Sequence, residues 1–445
     1  MMRLLVTILL SGILLPAMAR QGANPEKKNW RTFTEDPRHI HETVKKVTDI
    51  IVRDIYSPPV ASRTYAYITV AGYETGRHAD PAYKSLVNQL KGLQQLPQPD
   101  PAKEYSYTLA AVHAILLVGK SMVISEESMR AYDEQLLQQM AQSGMPAPVL
   151  ANSKDFGEKM AAAVLGWASK DNYSYTRSLP KYDVNDDPAT WKPTAPAYMK
   201  AVEPHWNKQR TFVIDSAQQY KPPVILPFST EKGSPFYNMA LEVYEATKKL
   251  DDEKIWIANF WDCNPFKMNV NGHVMYATKK ISPGGHWINI AALACRQVKA
   301  GTVKSLETYA LLSVTLADAF IICWDEKYRS NVIRPETYIG SYIDGSWMPI
   351  LQTPPFPEYT SGHSVVSAAA SEVLTRQFGD NFSYTDNTEE EFGIPSRKFK
   401  SFNQAAEEAA ISRLYGGIHY RPAIEYGLEE GRAMAVLVAG RLRTR

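Results

Sequence analysis

Ser412-Arg413-Leu414-Tyr415-Gly416-Gly417-Ile418-His419 is the stretch from which this chain is read. An arginine and a histidine stand six apart across a Gly-Gly pair. The segment before it, 402–415, is alanine-rich with its charges on one side, the pattern of a helix. Ser401 and Gln404 supply a capping box at its start. Gly416 or Gly417 can adopt the left-handed conformation that ends a helix. Pro422 suits the first turn of the next helix, expected to run to about residue 442. His419 is therefore expected in a tight connection between two helices, with Arg413 in the last turns of the first. Such a place can hold an anion rigidly. A histidine in a helix–helix turn is more often structural than catalytic, so the reading depends on two further stretches.

The first is Pro354-Pro355-Phe356-Pro357-Glu358-Tyr359-Thr360-Ser361-Gly362-His363. Its prolines impose an extended approach. Ser361 is an N-cap for an Ala/Val-rich helix over 362–378. The free N–H groups of that first turn form an anion site, with His363 within reach. The second is Lys327-Tyr328-Arg329-Ser330-Asn331-Val332-Ile333-Arg334-Pro335. Lys327 ends a helical pattern, where a cation is favourable. Arg334 precedes a proline and should be extended.

Together the three stretches read K-x6-R-P, then S-G-H, then S-R-x5-H. This set resembles the superfamily of type 2 phosphatidic acid phosphatases and vanadium-dependent haloperoxidases. The resemblance implies that Lys327, Arg334 and Arg413 hold the oxygens of a tetrahedral oxyanion, with Ser361 and the Gly362 N–H adding hydrogen bonds. It makes His363 the acid–base residue and His419 the ligand of vanadium as vanadate, or the nucleophile toward phosphorus. The chemistry agrees. Arginine forks match paired oxygens and lysine acts as a point charge. One neutral imidazole can donate a lone pair while a second moves protons near neutral pH.

Residues 1–19 read as a secretory signal, with Arg3, an apolar core over 4–15 and Ala17-Met18-Ala19 before the cut. No cysteine follows the cut to carry a lipid. The expected location is secreted or periplasmic. Removing 19 of 445 residues leaves 426, enough for two domains. The net charge of +2, or +1 without Arg3, gives no support for nucleic-acid binding. Cys263, Cys295 and Cys323 are too few for a disulfide framework; one pair could bridge, or all could be buried as small hydrophobes. Cys263, His273 and His286 lack compact metal-ligand spacing and are expected to pack around the anion pocket.

The periodicity is helical almost throughout, which gives an all-α fold; the resemblance implies two helical bundles of the four-helix type, with the active site in the C-terminal one. Helices are expected over 39–56, 61–75, 81–92, 105–118, 126–143, 153–170, 234–250, 252–261, 285–298 and 304–327, besides the three above. An N-terminal helical domain is placed at 20–180, and the active-site domain at 234–445. The proline-rich segment 181–233 is expected to link them or to wrap over the surface. No stretch after the signal is expected to span a membrane, because Glu307 and Asp318 interrupt 304–322. Asp318 is expected either to support a pocket cation or to face solvent. Glu389-Glu390-Glu391 should be solvated. Asp262 is a candidate carboxylate partner for Arg413.

Many superfamily members carry an aspartate four residues after the last histidine; here that position is Ala423. A backbone carbonyl or Glu425 could orient His419 instead. Loss of that orienter weakens the phosphatase reading more. The W-D-C-N-P and G-G-H-W stretches, Trp261–Pro265 and Gly284–Trp287, resemble bacterial members of the haloperoxidase branch. Phe356 and Trp324 resemble apolar residues near the halide, and Phe266 is placed at the pocket mouth. The resemblance therefore implies a vanadate-dependent haloperoxidase, iodoperoxidase-like, that oxidises iodide or bromide with hydrogen peroxide and halogenates small organic substrates. Lys327 would polarise the bound peroxide. The alternatives are a periplasmic acid phosphatase acting on phosphomonoesters and a catalytically silent oxyanion-binding protein.

Overall fold

The computed structural model describes residues 29–445, so the expected signal segment lies outside the described residues. The helices in chain order are α1 (Trp30–Thr34), α2 (Arg38–Arg53), α3 (Pro58–Gly76), α4 (Tyr107–Lys120), α5 (Glu126–Gln142), α6 (Ala147–Ala168) and α7 (Tyr173–Ser178). Then follow α8 (Pro235–Lys248), α9 (Asp252–Phe260), α10 (Pro283–Gln297), α11 (Thr302–Ser330), α12 (Pro335–Tyr342), α13 (Gly362–Phe378), α14 (Phe402–Tyr415) and α15 (Arg421–Arg441). Two small antiparallel hairpins interrupt them: β1 (Met268–Asn271) with β2 (Val274–Ala277), and β3 (Tyr384–Asp386) with β4 (Arg397–Phe399).

Local chemistry explains most ends. Ser57, Ser106, Ser234, Ser282, Ser361 and Ser401 each accept a backbone N–H in the first turn of the helix they open. Asn331 ends α11 in the left-handed region at φ 49°. The helix α11 lies at the centre, with α3 and α4 towards one side and α13, α14 and α15 towards the other. The main apolar cluster runs from Ile40 and Val44 on α2, through Leu316 and Phe320 on α11, to Met434 and Val438 on α15, and a second gathers Phe236, Tyr338 and Tyr420. Burying each such side chain contributes roughly 1.5–3 kcal/mol. α13 and α15 touch closely because Gly431 faces the Val365 carbonyl, where any Cβ would collide.

Several expectations fail, each for a tertiary reason. Residues 81–92 form turns, not a helix. Asn88 and Gly92 have φ of 62° and 74°, and the buried Glu74 carboxylate takes the Leu86 N–H and Ser85 hydroxyl. The short α12 was not expected; Arg334 is its extended N-cap at ψ 151° and Pro335 its first residue. Neither hairpin was expected, since each strand has only three or four residues. By length and composition α11 could cross a membrane, contrary to the sequence reading, but nearly all of its apolar window is buried inside the protein.

Asp318 follows neither expected course. It is fully buried on α11, and its carboxylate accepts the N–H groups of Phe212, Val213 and Ile214 at 2.7, 2.8 and 3.1 Å. It fastens segment 181–233 across α11. The same segment bridges Thr190 to Val332 and donates Trp191 N–H to Asn331 O and Val202 N–H to Pro355 O.

Candidate active site

His419 lies between α14 and α15, after Gly417 turns the chain at φ 76°. Its Nδ1 is 2.7 Å from Glu358 Oε1, and its Nε2 is 3.2 Å from Arg334 Nη1. This arrangement assigns the proton to Nδ1, donated to Glu358, and leaves the Nε2 lone pair toward the guanidinium. Burial holds the imidazole well below its ordinary pKa, and the fields of Arg334, Lys327, Arg413 and His363 add to the effect. His419 is therefore a neutral lone-pair donor.

The three motif cations converge on it and are all buried. Arg334 donates to the carbonyls of Phe356 and Ile418, both at 2.9 Å, while its Nη2 has no partner among the described residues. Arg413 donates to Ser412 Oγ and to the carbonyls of Ala258 and Trp261. Lys327 is turned under the proline-rich loop, with Nζ 3.1, 3.0 and 2.5 Å from the carbonyls of Pro357, Glu358 and Thr360. Burial lowers Lys327 to about 8 and each arginine to about 10. Desolvation costs the charged forms, and the nearby acids offset part of it. Glu358 is itself pushed up to about 7 by burial, against the pull of Arg334 and Lys327.

Ser361 caps α13, accepting Ser364 N–H at 3.3 Å. His363 occupies the first turn, and its buried Nε2 has no partner among the described residues. Burial, and then Arg413, keep it well below the ordinary histidine pKa. Gly362, His363, Arg413 and His419 line a tight cavity of about 30 Å³ together with Phe266, Trp324 and Phe356. Trp324 and Phe356 meet at 4.9 Å between ring centroids. Lys327, Arg334 and Ser361 do not form its lining. A larger cleft of about 910 Å³, lined by Asn29, Thr32 and Gln139, contains none of these residues.

The residues fit a tetrahedral oxyanion. A buried guanidinium N–H and a buried imidazole nitrogen are otherwise costly to leave without partners. Both belong to motif residues, and three cations surround one neutral imidazole. His419 would hold vanadate directly, with Arg334, Arg413 and His363 on its oxygens.

Other assignments change. Asp262 pairs with Lys280 at 2.7 Å and reaches Arg413 only through its field. Glu425 is exposed and lies beside Arg421, so it does not orient His419. Glu358 does, and its signal was visible as a lone acid in the run Pro354–Tyr359. Glu430 was also missed. It is buried behind Lys327, holds Thr360 Oγ1 at 2.8 Å, and shares the spacing of Ala423, Gly427 and Met434 along α15. The three cysteines are free and buried. His273 is exposed in the β1–β2 turn, whereas His286 is fully buried beside Cys263. Glu389 is buried at 1% exposure; only Glu390 and Glu391 are solvated.

Comparison with known proteins agrees with this geometry. A family model described as the VCPO second helical-bundle domain matches residues 307–444. A bacterial vanadium-dependent iodoperoxidase structure is 50% identical, covering 92% of this chain and 97% of its own, with a TM-score of 0.87. The holo and apo forms of a bacterial vanadium-dependent chloroperoxidase share the fold at TM-scores of 0.63 and 0.62. They are 16% and 14% identical, over 87% and 86% of this chain and 94% of each of theirs. None of the curated proteins compared with the chain matches it. The chain belongs to the vanadium-dependent haloperoxidase family. Its cofactor is vanadate, and its substrates are hydrogen peroxide and a halide.

Proposed function

We propose that this haloperoxidase is an exported iodide-oxidising enzyme. The observation that carries the halide is the 50% identity extending over 97% of a bacterial iodoperoxidase. The signal-like pattern at 1–19 supports export.

Vanadate supplies the Lewis-acidic centre at which hydrogen peroxide becomes an oxidant of halide. The protein does the rest. His419 Nε2 would be the ligating atom, and Glu358 fixes the opposite nitrogen as donor. Arg334 and Arg413 neutralise the oxyanion, and Lys327 adds charge from beneath the loop. His363 Nε2 takes a proton from incoming peroxide and returns it to the leaving oxygen. The Trp324–Phe356–Phe266 wall gives the halide an apolar, poorly hydrated approach, which favours large iodide over chloride.

The test is peroxide-dependent oxidation of iodide, bromide and chloride by purified protein before and after vanadate loading. Iodide turnover that requires vanadate and exceeds bromide turnover is expected. A preference for bromide or chloride overturns the halide assignment. Phosphomonoester hydrolysis inhibited by vanadate, without halide oxidation, would instead favour the phosphatase chemistry.

A further inference from the structure

Behind the wall of the anion cavity, three ligand-type side chains from distant segments meet. Cys263 follows α9, His286 lies in the first turns of α10, and Glu389 follows β3. Each is at most 2% exposed. His286 Nδ1 is 3.4 Å from Cys263 Sγ and 3.1 Å from Glu389 Oε1, and Sγ is 3.8 Å from that oxygen. A triangle with these sides has its centre about 2 Å from all three atoms, the length of a zinc–nitrogen or zinc–oxygen bond and about 0.3 Å under a zinc–sulfur bond.

The other ring nitrogen settles the tautomer. His286 Nε2 is 2.7 Å from Asp386 Oδ2, and Asp386 is fully buried with its second oxygen on Thr388 N–H. Nε2–H thus donates to a carboxylate, as in metal-binding histidines braced from behind. The Nδ1 lone pair then faces the Glu389 carboxylate, so two acceptors confront each other in a buried space. A cation must separate them, either a second ring proton or a metal ion. With a ring proton the thiol makes only a long contact, donating to Glu389 Oε1 at 3.8 Å, whereas a dication uses all three ligand-type atoms and is neutralised by one thiolate and one carboxylate, with the thiol proton released to solvent. Trp261 stacks on the imidazole at 4.7 Å, and Thr388 and Glu390, the chain neighbours of Glu389, border a surface cleft.

We propose that Cys263, His286 and Glu389 bind a structural divalent metal ion of the zinc type, distinct from the vanadate site. Its effect is mechanical. It would tie the β3–β4 insertion to the segment Trp261–Asn264, whose Trp261 carbonyl holds Arg413 at 2.6 Å. Cys263 itself borders the anion cavity.

The experiment measures zinc and vanadium separately by elemental analysis of the full chain, purified without chelator. About one zinc per chain is expected, independent of vanadate loading. Cys263→Ser and Glu389→Gln should each weaken zinc binding about tenfold or more. His273→Ala, on the exposed hairpin, should leave it unchanged. In the wild-type chain, chelator should lower the melting temperature and expose Cys263 to alkylation, and added zinc should reverse both. A wild-type chain that neither contains nor takes up zinc, with melting and alkylation indifferent to chelator, overturns the proposal, whatever the variants do.

Discussion

Glu358 Oε1 lies 2.7 Å from His419 Nδ1 and 3.0 Å from the N–H of Tyr420, so one carboxylate orients the ring and anchors the backbone beside it. It does the work for which Ala423 has no side-chain acceptor, from the proline-rich loop before α13. Glu358→Gln keeps an acceptor but not the charge, and should weaken vanadate binding by about 10- to 100-fold, the usual cost of losing a histidine's supporting partner. Vanadate titration of the apo-enzyme checks this, and unchanged affinity would show that the contact does not support the ligand.

The two site histidines should separate cleanly. His419→Ala should lose tight vanadate binding together with nearly all peroxidase activity, because it removes the direct ligand. His363→Ala should retain vanadate and lose turnover by on the order of a hundredfold or more. Vanadium content and iodide oxidation, measured on the same preparations, tell the two roles apart; equal vanadium content in His419→Ala and wild type would contradict the assignment.

Three buried cations around one cavity leave the ligand-free protein electrostatically strained, and an oxyanion relieves that strain. Vanadate, phosphate or sulfate should raise the melting temperature. Arg334→Met or Arg413→Met should largely abolish the rise, while Lys398→Ala and Lys400→Ala, at exposed positions, should keep it. Thermal shift against ligand concentration is the measurement, and a rise that survives loss of both arginines would place the anion elsewhere.

Asp318 gives a pH signature unconnected with catalysis. Burial raises its pKa from 3.8 to about 6, against the pull of its three N–H donors. The unfolded chain loses this proton near the lower value and the folded chain near the higher. Between them the folded state binds more protons, so this group's contribution to stability falls as pH rises from about 4 to about 6. The loss is at most about 3 kcal/mol. The stability difference between wild type and Asp318→Asn should therefore shrink across that window, as read by denaturant unfolding; a pH-independent difference would rule out the shift.

The sequence determined the helices that carry the site and the motif residues on them. α13 and α14 coincide with the expected 362–378 and 402–415, because serine caps, glycine stops and 3.6-residue periodicity act within a turn or two. The K-x6-R-P, S-G-H and S-R-x5-H spacings likewise specified which cations and imidazoles to gather. Only the tertiary structure decided what those groups touch. Glu358 rather than Glu425 meets His419, Lys327 bonds three loop carbonyls, Asp318 fastens a segment about a hundred residues away in the chain, and Glu389 leaves its solvated neighbours for His286. The turns at 81–92 belong here too, since Glu74 competes for their backbone. A buried polar group takes whichever partner packing brings within about 3 Å. Periodicity says which face of a helix is buried, but it carries no information about which distant carbonyl or carboxylate will lie against that face.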